Sequence, residues 1–260
     1  MTILDTILDT KRREVEILKK HFTIKDFEKM PLFTSETRSL KEAILSTEFG
    51  IIAEIKRKSP SAGKLNESIS PSHLAQEYEK SGAVGISVLT DFEFFGGSIQ
   101  DVIEVKRNVS LPVLRKEFII DEIQLFEAKA IGADAILLIA EALTEEEALH
   151  LTILAQSLGL EVIMEFHEKS QLSKINDEVD IVGVNNRNLK LQKTDISNSI
   201  ELFDFLPKNK VLLSESGIKT AEELIQIANC GYHGALIGES ILKSNSPKDF
   251  ISNLALKTIH

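Results

Sequence analysis

Glu54 and Lys56 stand two apart in IIAEIKRKSPSAG, the stretch from Ile51 to Gly63, and interrupt what otherwise reads as a buried strand. In an extended strand this spacing points both side chains to the face carrying Ile52, while Ile51, Ala53 and Ile55 point the other way. A carboxylate and an ammonium on one inner face need each other or a ligand, because an unpaired buried charge is costly. The SPSAG that follows supplies a hydroxyl, a turn-setting proline and a glycine, which suits a loop closing over an anion. A plain ion pair at a strand end is the competing reading of these two residues alone.

Polar and charged residues recur at the ends of other apolar runs. Arg115, Lys116 and Glu117 follow PVL, Glu165 ends VIME, and Asn185 and Arg187 lie in GVNNRNL. Ser214, Glu215, Ser216 and Gly217 close LLSESG, and Gly238, Glu239 and Ser240 close LIGES. One such group would be a solvated strand end, but on five strands together they read as a functional cluster. The glycines of SESGI and IGESI expose backbone N–H groups in the last two loops, where barrels of alternating strands and helices often seat phosphate. In LTDFEFFGGS, the residues Phe92, Phe94 and Phe95 fit either ordinary packing or an apolar wall for an aromatic substrate.

These residues must be positioned by a repeating frame. Short apolar runs rich in β-branched residues begin near Ile51, Val84, Pro112, Asp134, Glu161, Asp180, Lys210 and His233. Their mean spacing of about 26 residues suits one strand, one helix and two short loops. SGAVGISVL, IGADAILLI, LGLEVIME and CGYHGALIG each place a glycine where a helix needs a left-handed terminator before a strand. Runs such as AILLI are apolar on both faces, as in a buried parallel sheet. The pattern predicts an α/β fold, a closed (β/α)8 TIM barrel with an N-terminal helical extension, over an open doubly wound sheet. No Gly-x-Gly-x-x-Gly follows the first strand, which weakens the open sheet's usual nucleotide role. The extension is expected over residues 1–47 and the barrel over 48–260, as one folding unit.

Residues 2–20 set Ile3, Leu4, Ile7, Leu8, Val15 and Leu18 at helical spacing, with Lys11, Arg12, Arg13, Lys19 and Lys20 expected on the solvated face. Such a helix could also cover one end of the barrel. A short helix is expected over residues 39–45. Thr144 is expected to cap the helix whose first turn holds Glu145 to Glu147.

With 30 basic and 40 acidic residues, the net charge of −10 argues against a general nucleic-acid or anionic-membrane surface. Cys230 is the only cysteine, which excludes an internal disulfide or a multi-cysteine zinc site and fits a cytoplasmic location. The N-terminus lacks the pattern of a secretion signal. The longest uncharged apolar run, Ala135 to Ala140, is far short of the roughly 18 residues of a membrane helix. The six histidines show no metal-ligand spacing. His167 lies close enough to Glu165 to face the site, although a surface position is the expectation.

With these motifs in place, the chain resembles the indole-3-glycerol-phosphate synthase family from its N-terminal helix to its last strand. The markers are IIAEIKRKSPSAG, SVLTDFEFFGGS, PVLRKEFIID, GADAILLI, VIMEFH, VGVNNRNL, LSESGI and LIGES. The resemblance implies a lyase of tryptophan biosynthesis. Its substrate is 1-(2-carboxyphenylamino)-1-deoxyribulose 5-phosphate, closed to indole-3-glycerol phosphate with loss of carbon dioxide and water. It implies no cofactor and no metal; the chain is expected to act on a small molecule, as a monomer in the cytoplasm. By similarity Lys116 protonates the sugar ketone as the carboxylate-bearing ring carbon attacks it, and Glu165 faces the iminium-like nitrogen. Glu54 and Lys56 serve the final dehydration, with Lys56 also placed to hold the departing carboxylate.

Asn185 and Ser216 match catalytic polar positions, and Arg187 and Glu215 substrate-binding ones. Ser59, Gly217, Gly238 and Glu239 match the phosphate site, and Phe95, Phe118, Leu137 and Leu189 the walls around the anthranilate ring. Glu239 stands where some relatives have serine, so its side chain is expected to point away from the anion. Lys56 and Lys116 are expected to approach one another with Glu54 close by, since a neighbouring cation would lower a lysine's pKa. Two rivals are a phosphoribosylanthranilate isomerase, which releases no carbon dioxide, and a phosphosugar-binding barrel without turnover.

Overall fold

The computed structural model describes residues 2–60, 63–64, 70–188, 193–244 and 246–257. Eight strands form its barrel: β1 (Gly50–Ile55), β2 (Gly85–Leu89), β3 (Val113–Lys116), β4 (Ala135–Ile139), β5 (Glu161–Phe166), β6 (Ile181–Asn185), β7 (Val211–Glu215) and β8 (Gly234–Ile237). They are parallel, neighbour one another in chain order and close into a barrel through β8 and β1. Each begins within one residue of the position expected from the apolar runs, and the open sheet is excluded.

Alternation along the strands divides the apolar residues into two layers. Ile52, Leu114, Leu137, Ile163, Leu213 and Leu236 fill the barrel interior. Ile51, Ala53, Ile86, Val113, Val162 and Leu212 face outward and pack under the helices. The four glycines expected to end helices, Gly82, Gly132, Gly159 and Gly231, all take positive φ, between 73° and 113°. Thr144 Oγ1 accepts from the Glu147 N–H, as the capping pattern requires.

The N-terminal segment seals both ends of the cylinder. Leu40 and Ile44, on the short helix Leu40–Leu45, plug the interior from below. The helix Ile3–His21 lies across the opposite end, where the strands terminate, and buries Leu4, Ile7, Leu8 and Val15. It departs from expectation at Lys11, which is 2% exposed and not part of a solvated face. Its ammonium meets Asp91 at 2.7 Å, Glu117 at 3.1 Å and Glu14 at 2.7 Å. A helix laid over the loops after β2 and β3 presents this position to their carboxylates, and three anions compensate the desolvation of one cation. The neighbouring Arg12 stays exposed, as expected.

Candidate active site

The inward positions that fill the lower barrel with aliphatic residues carry charge at the top. On β1 the register Ile52, Glu54 continues inward. On β3 it runs Leu114, Lys116, on β5 Ile163, Glu165, and on β7 Leu213, Glu215. Lys116 Nζ lies 2.9 Å from Glu165 Oε2 and 2.6 Å from Glu215 Oε2. Lys56 Nζ lies 2.5 Å from Glu54 Oε1. The two lysines therefore anchor separate ion pairs in one cleft.

Two glycines make room for the carboxylates. Gly183 neighbours Glu165 in the β5–β6 register, and a Cβ there would fall 2.2 Å from Glu215 Oε1. Its bare backbone lets Glu215 lean across β6 to share Lys116 with Glu165. A Cβ on Gly238 would fall 2.5 Å from Glu54 Oε1. Ser216 is the only described non-glycine residue with positive φ, 67°, and Gly217 follows at 83°. Such backbone strain is typical of functional turns and is held here by hydrogen bonds: Ser216 N–H donates to Leu236 O, and Ser216 O accepts from Asn186 Nδ2.

Burial opposes the charge on Lys116, yet Glu165 and Glu215 overcome it and push its pKa above the ordinary lysine value. This reverses the expectation of a lysine lowered by a neighbouring cation, because anions surround it. Burial alone would raise Glu165, but Lys116 and then His167 hold it below the usual carboxylate range. Burial, reinforced by the charge of Glu165, pushes Glu215 up to about 8 against the pull of Lys116. One ammonium thus serves two carboxylates, and a proton is favoured on Glu215 over Glu165.

The cleft has two lobes that share Glu54, Lys56, Arg187 and Ser216. The first, about 910 Å³, is lined by Leu89, Phe95, Phe118, Leu137 and Ile139, by Ile3, Leu4 and Ile7 of the N-terminal helix, and by Lys116, Glu165, His167 and Asn185. The Phe95 and Phe118 rings stand 6.0 Å apart, so these phenylalanines form a wall. Phe92 is 77% exposed and takes no part. The second lobe, about 1560 Å³, is lined by Ser216, Gly217, Gly238, Glu239, Ser240, Lys219 and Lys243. One end is an apolar slot with ionisable groups on its floor, and the other is a polar basin rimmed by glycine backbone and lysines.

A family model described as indole-3-glycerol phosphate synthase matches residues 4–254. The chain belongs to the indole-3-glycerol phosphate synthase family. A curated member from Bacteroides thetaiotaomicron is 42% identical over 99% of this chain and 98% of its own length. Another, from Chloroherpeton thalassium, is 43% identical over 94% and 96%. Among solved structures, 3-hexulose-6-phosphate synthase from Salmonella typhimurium superposes with a TM-score of 0.66 at 13% identity, covering 81% of this chain and 99% of that one. The tryptophan synthase alpha subunit from Legionella pneumophila gives 0.62 at 15%, covering 84% and 97%. These two likenesses show the barrel alone. The reaction is the decarboxylating closure and dehydration of 1-(2-carboxyphenylamino)-1-deoxyribulose 5-phosphate to indole-3-glycerol phosphate, a carboxy-lyase step of tryptophan biosynthesis.

Within this member of the indole-3-glycerol phosphate synthase family, most expected site residues gather in the cleft, with three departures. Ser59 lines the apolar lobe and not the polar basin. Glu239 does not turn away: its carboxylate reaches Lys243 at 2.7 Å and Arg187 at 3.3 Å inside the basin. Lys243 first, then Arg187 and Lys56, hold it ionised against partial burial. His167 is not on the surface, since its side chain is 9% exposed and lines the cleft. Leu189 lies outside the described residues. Sequence reasoning passed over Asn186, whose Oδ1 accepts from Ser199 N–H and Oγ and whose Nδ2 donates to Ser214 Oγ and Ser216 O, pinning the strained turn. The doubled NN was its only signal. Among the described residues, no three His, Cys, Asp or Glu side chains gather as a metal site.

Proposed function

We propose that Lys116 is the acid of ring closure and that the two lobes hold the two ends of the substrate. The observation that carries this reading is the Lys116 ammonium bonded to Glu165 and Glu215 on the floor of the cleft. The anthranilate ring lies between Phe95, Phe118 and Leu137, and the phosphate lies in the basin beside Gly217 and Gly238. The ribulose chain passes Lys116 and Ser216 between them. As the carboxylate-bearing ring carbon bonds to the ketone carbon, Lys116 delivers its proton to the oxygen. An ammonium with raised pKa is always loaded, and it still protonates an alkoxide, which is the stronger base.

Glu165 faces the nitrogen that becomes iminium-like, and its ionised state suits that task. Loss of carbon dioxide then restores the benzene ring. Departure of the hydroxyl as water completes the indole, with Glu54 and Lys56 as base and acid. Asn185 supports Glu165 through a side-chain hydrogen bond. In the basin, Glu239 would repel a phosphate, but Lys243 and Arg187 offset its charge, and Arg187 is near enough to meet the anion itself.

We propose a cytoplasmic monomer, a reading supported by the single cysteine and by a cleft whose described lining comes from one chain. Residues 1–47 fold with the barrel, because both barrel ends are closed by that segment. Replacing Lys116 by methionine is expected to cut turnover at least about a hundredfold, read by indole fluorescence, with an unchanged circular dichroism spectrum. Wild-type turnover of that variant would remove the acid role.

A further inference from the structure

The reaction consumes a proton, and the buried cluster has to obtain it. The anthranilate carboxyl is ionised at neutral pH and leaves as uncharged carbon dioxide. Ring closure puts one proton on the ketone oxygen, and a second leaves with the hydroxyl as water. One returns when the five-membered ring gives up hydrogen to become aromatic. The balance is one proton drawn from solvent per turnover. Glu165 is 4% exposed, and in the proposed binding mode the substrate would cover the mouth of the cleft.

His167 is the first residue after β5 and lies between Glu165 and the partly exposed Glu141. Its Nε2 lies 3.9 Å from Glu165 Oε1, and its Nδ1 lies 3.9 Å from Glu141 Oε2. Both ring nitrogens are buried and have no hydrogen-bond partner among the described residues. A buried donor left unpaired is costly, so its persistence needs an explanation. The ring is not a loose end, since its own backbone N–H donates to Gln171 Oε1 at 2.8 Å and its carbonyl accepts from Asn198 Nδ2 at 3.2 Å. Glu141, in the turn Ala140–Ala142 after β4, has a side chain 30% exposed. The three side chains therefore run from a closed interior to the surface, with the imidazole between two carboxylates. A tilt of about 1 Å, or one water, brings either gap to hydrogen-bond length.

We infer that His167 is a proton relay that reloads the catalytic cluster from solvent through Glu141. After Lys116 gives its proton to the ketone oxygen, the ionised Glu165 carboxylate takes the Nε2 proton of His167, while Nδ1 accepts one from Glu141. Glu165 then passes its proton to the neutral Lys116 amine and returns to the carboxylate. Glu141 is re-protonated by water or buffer, and a return to the starting tautomer resets the imidazole. No other group changes charge over the cycle. The remaining neighbours of Glu165, namely Asn185 and Glu215, already hydrogen-bond within the cluster and offer no surface-exposed carboxylate.

The test uses the full chain in dilute, non-nucleophilic buffer. His167→Ala is expected to lose about tenfold to a hundredfold in kcat with KM little changed, and added imidazole to restore turnover in proportion to its concentration. Glu141→Gln is expected to show a smaller, buffer-dependent loss, and wild type no response to imidazole. Unchanged kcat in His167→Ala overturns the relay, as does a loss that imidazole does not relieve, or wild-type turnover of Glu141→Gln in dilute buffer. If His167→Ala fails to fold, His167→Asn replaces it under the same criteria. The inference rests on the proposed roles of Lys116 and Glu165, so Lys116→Met is run alongside. Full activity there removes that reading, whereas an imidazole-insensitive loss in His167→Ala removes only the relay.

Discussion

The three residues that end β3 and begin its loop, Arg115, Lys116 and Glu117, feed two buried charge clusters of opposite character. Lys116 points inward to Glu165 and Glu215. Arg115 and Glu117 point outward. There Arg115 donates to Thr90 Oγ1, Gln124 O and Glu127, while Glu117 accepts from Thr90, Lys11 and the Phe118 N–H. Asp91 joins them, taking Lys11 on one oxygen and the Phe94 and Phe95 N–H groups on the other. Every anion of this outer cluster has an ion-pair partner, although Asp91 Oδ2, 2.7 Å from Lys11, makes no well-directed hydrogen bond. Burial works to raise Glu117, but Lys11 and Arg115 hold it low. The inner cluster has one ammonium for two carboxylates, and Glu215 Oε1 has no hydrogen-bond partner among the described residues. Buried charge by itself therefore does not mark chemistry here. The distinguishing feature is a shortage of partners beside open space, which a substrate can fill.

Exchanging one lysine in each cluster for methionine separates the two roles most sharply. Lys116→Met is expected to lose turnover by at least about a hundredfold; it also strands Glu165 and Glu215, but these face a cleft that water can enter and Glu215 readily takes a proton, so its fall in melting temperature is expected to be the smaller of the two. Lys11→Met leaves Asp91 and Glu117 buried without their cation, and removing one partner of a buried pair costs about 3–5 kcal/mol. That corresponds to a fall of roughly 10 °C in Tm for a chain of this size, measured by thermal circular dichroism. Turnover per folded molecule is expected to survive better in Lys11→Met than in Lys116→Met. The reverse ranking would mean that the outer cluster takes part in chemistry.

The frame was legible because strand period and helix-ending glycines are local signals. Ile51, Ala53 and Ile55 do face the helices, and Glu54 does face inward. Lys116 and Glu165 could be picked out as charged residues at inward positions. Lys11 could not, because helical periodicity alone gives it a solvated neighbourhood, and only the fold brings Asp91 and Glu117 across some 80 to 100 residues to meet it. Likewise, Gly183 reads in sequence as an ordinary strand glycine, and its purpose appears only when Glu215 occupies the space above it. The inward turn of Glu239 is not legible because repulsion from an anion is offset by Lys243, one helical turn later.

The protonation of Glu215 gives a subtler contrast. Its folded-state pKa, about 8, exceeds that of an unfolded glutamate. Between the two values the folded chain binds a proton that the unfolded chain has released, so stability falls as pH rises from about 4.5 through about 8. Glu165, shifted the other way, adds stability that is lost only as pH falls below the usual carboxylate range. Glu215→Gln is neutral throughout. The expected result is that wild type loses a few degrees of Tm more than this variant between pH 5.5 and pH 8.5. Equal slopes would place the shared proton elsewhere.

The smallest effect tests whether the outer cluster is as self-sufficient as its hydrogen bonds suggest. Thr90 Oγ1 donates to Glu117 Oε2 at 2.6 Å and accepts from Arg115 Nε at 3.3 Å, so one hydroxyl links the cation and anion that flank Lys116 in sequence. Thr90→Val keeps the shape and removes that link. Arg115 retains Gln124 and Glu127, and Glu117 retains Lys11 and the Phe118 N–H, so neither charge is stranded. The cost should be that of a buried acceptor, Glu117 Oε2, and a long-bonded buried donor, Arg115 Nε, each left one partner short, about 1–3 kcal/mol, seen as a fall of roughly 3–8 °C in Tm. Because Lys116 takes its partners from β5 and β7 and none from Thr90, kcat and KM should remain at wild-type values. A drop in kcat without a drop in Tm would mean that the two faces of β3 are coupled through the backbone between Arg115 and Glu117.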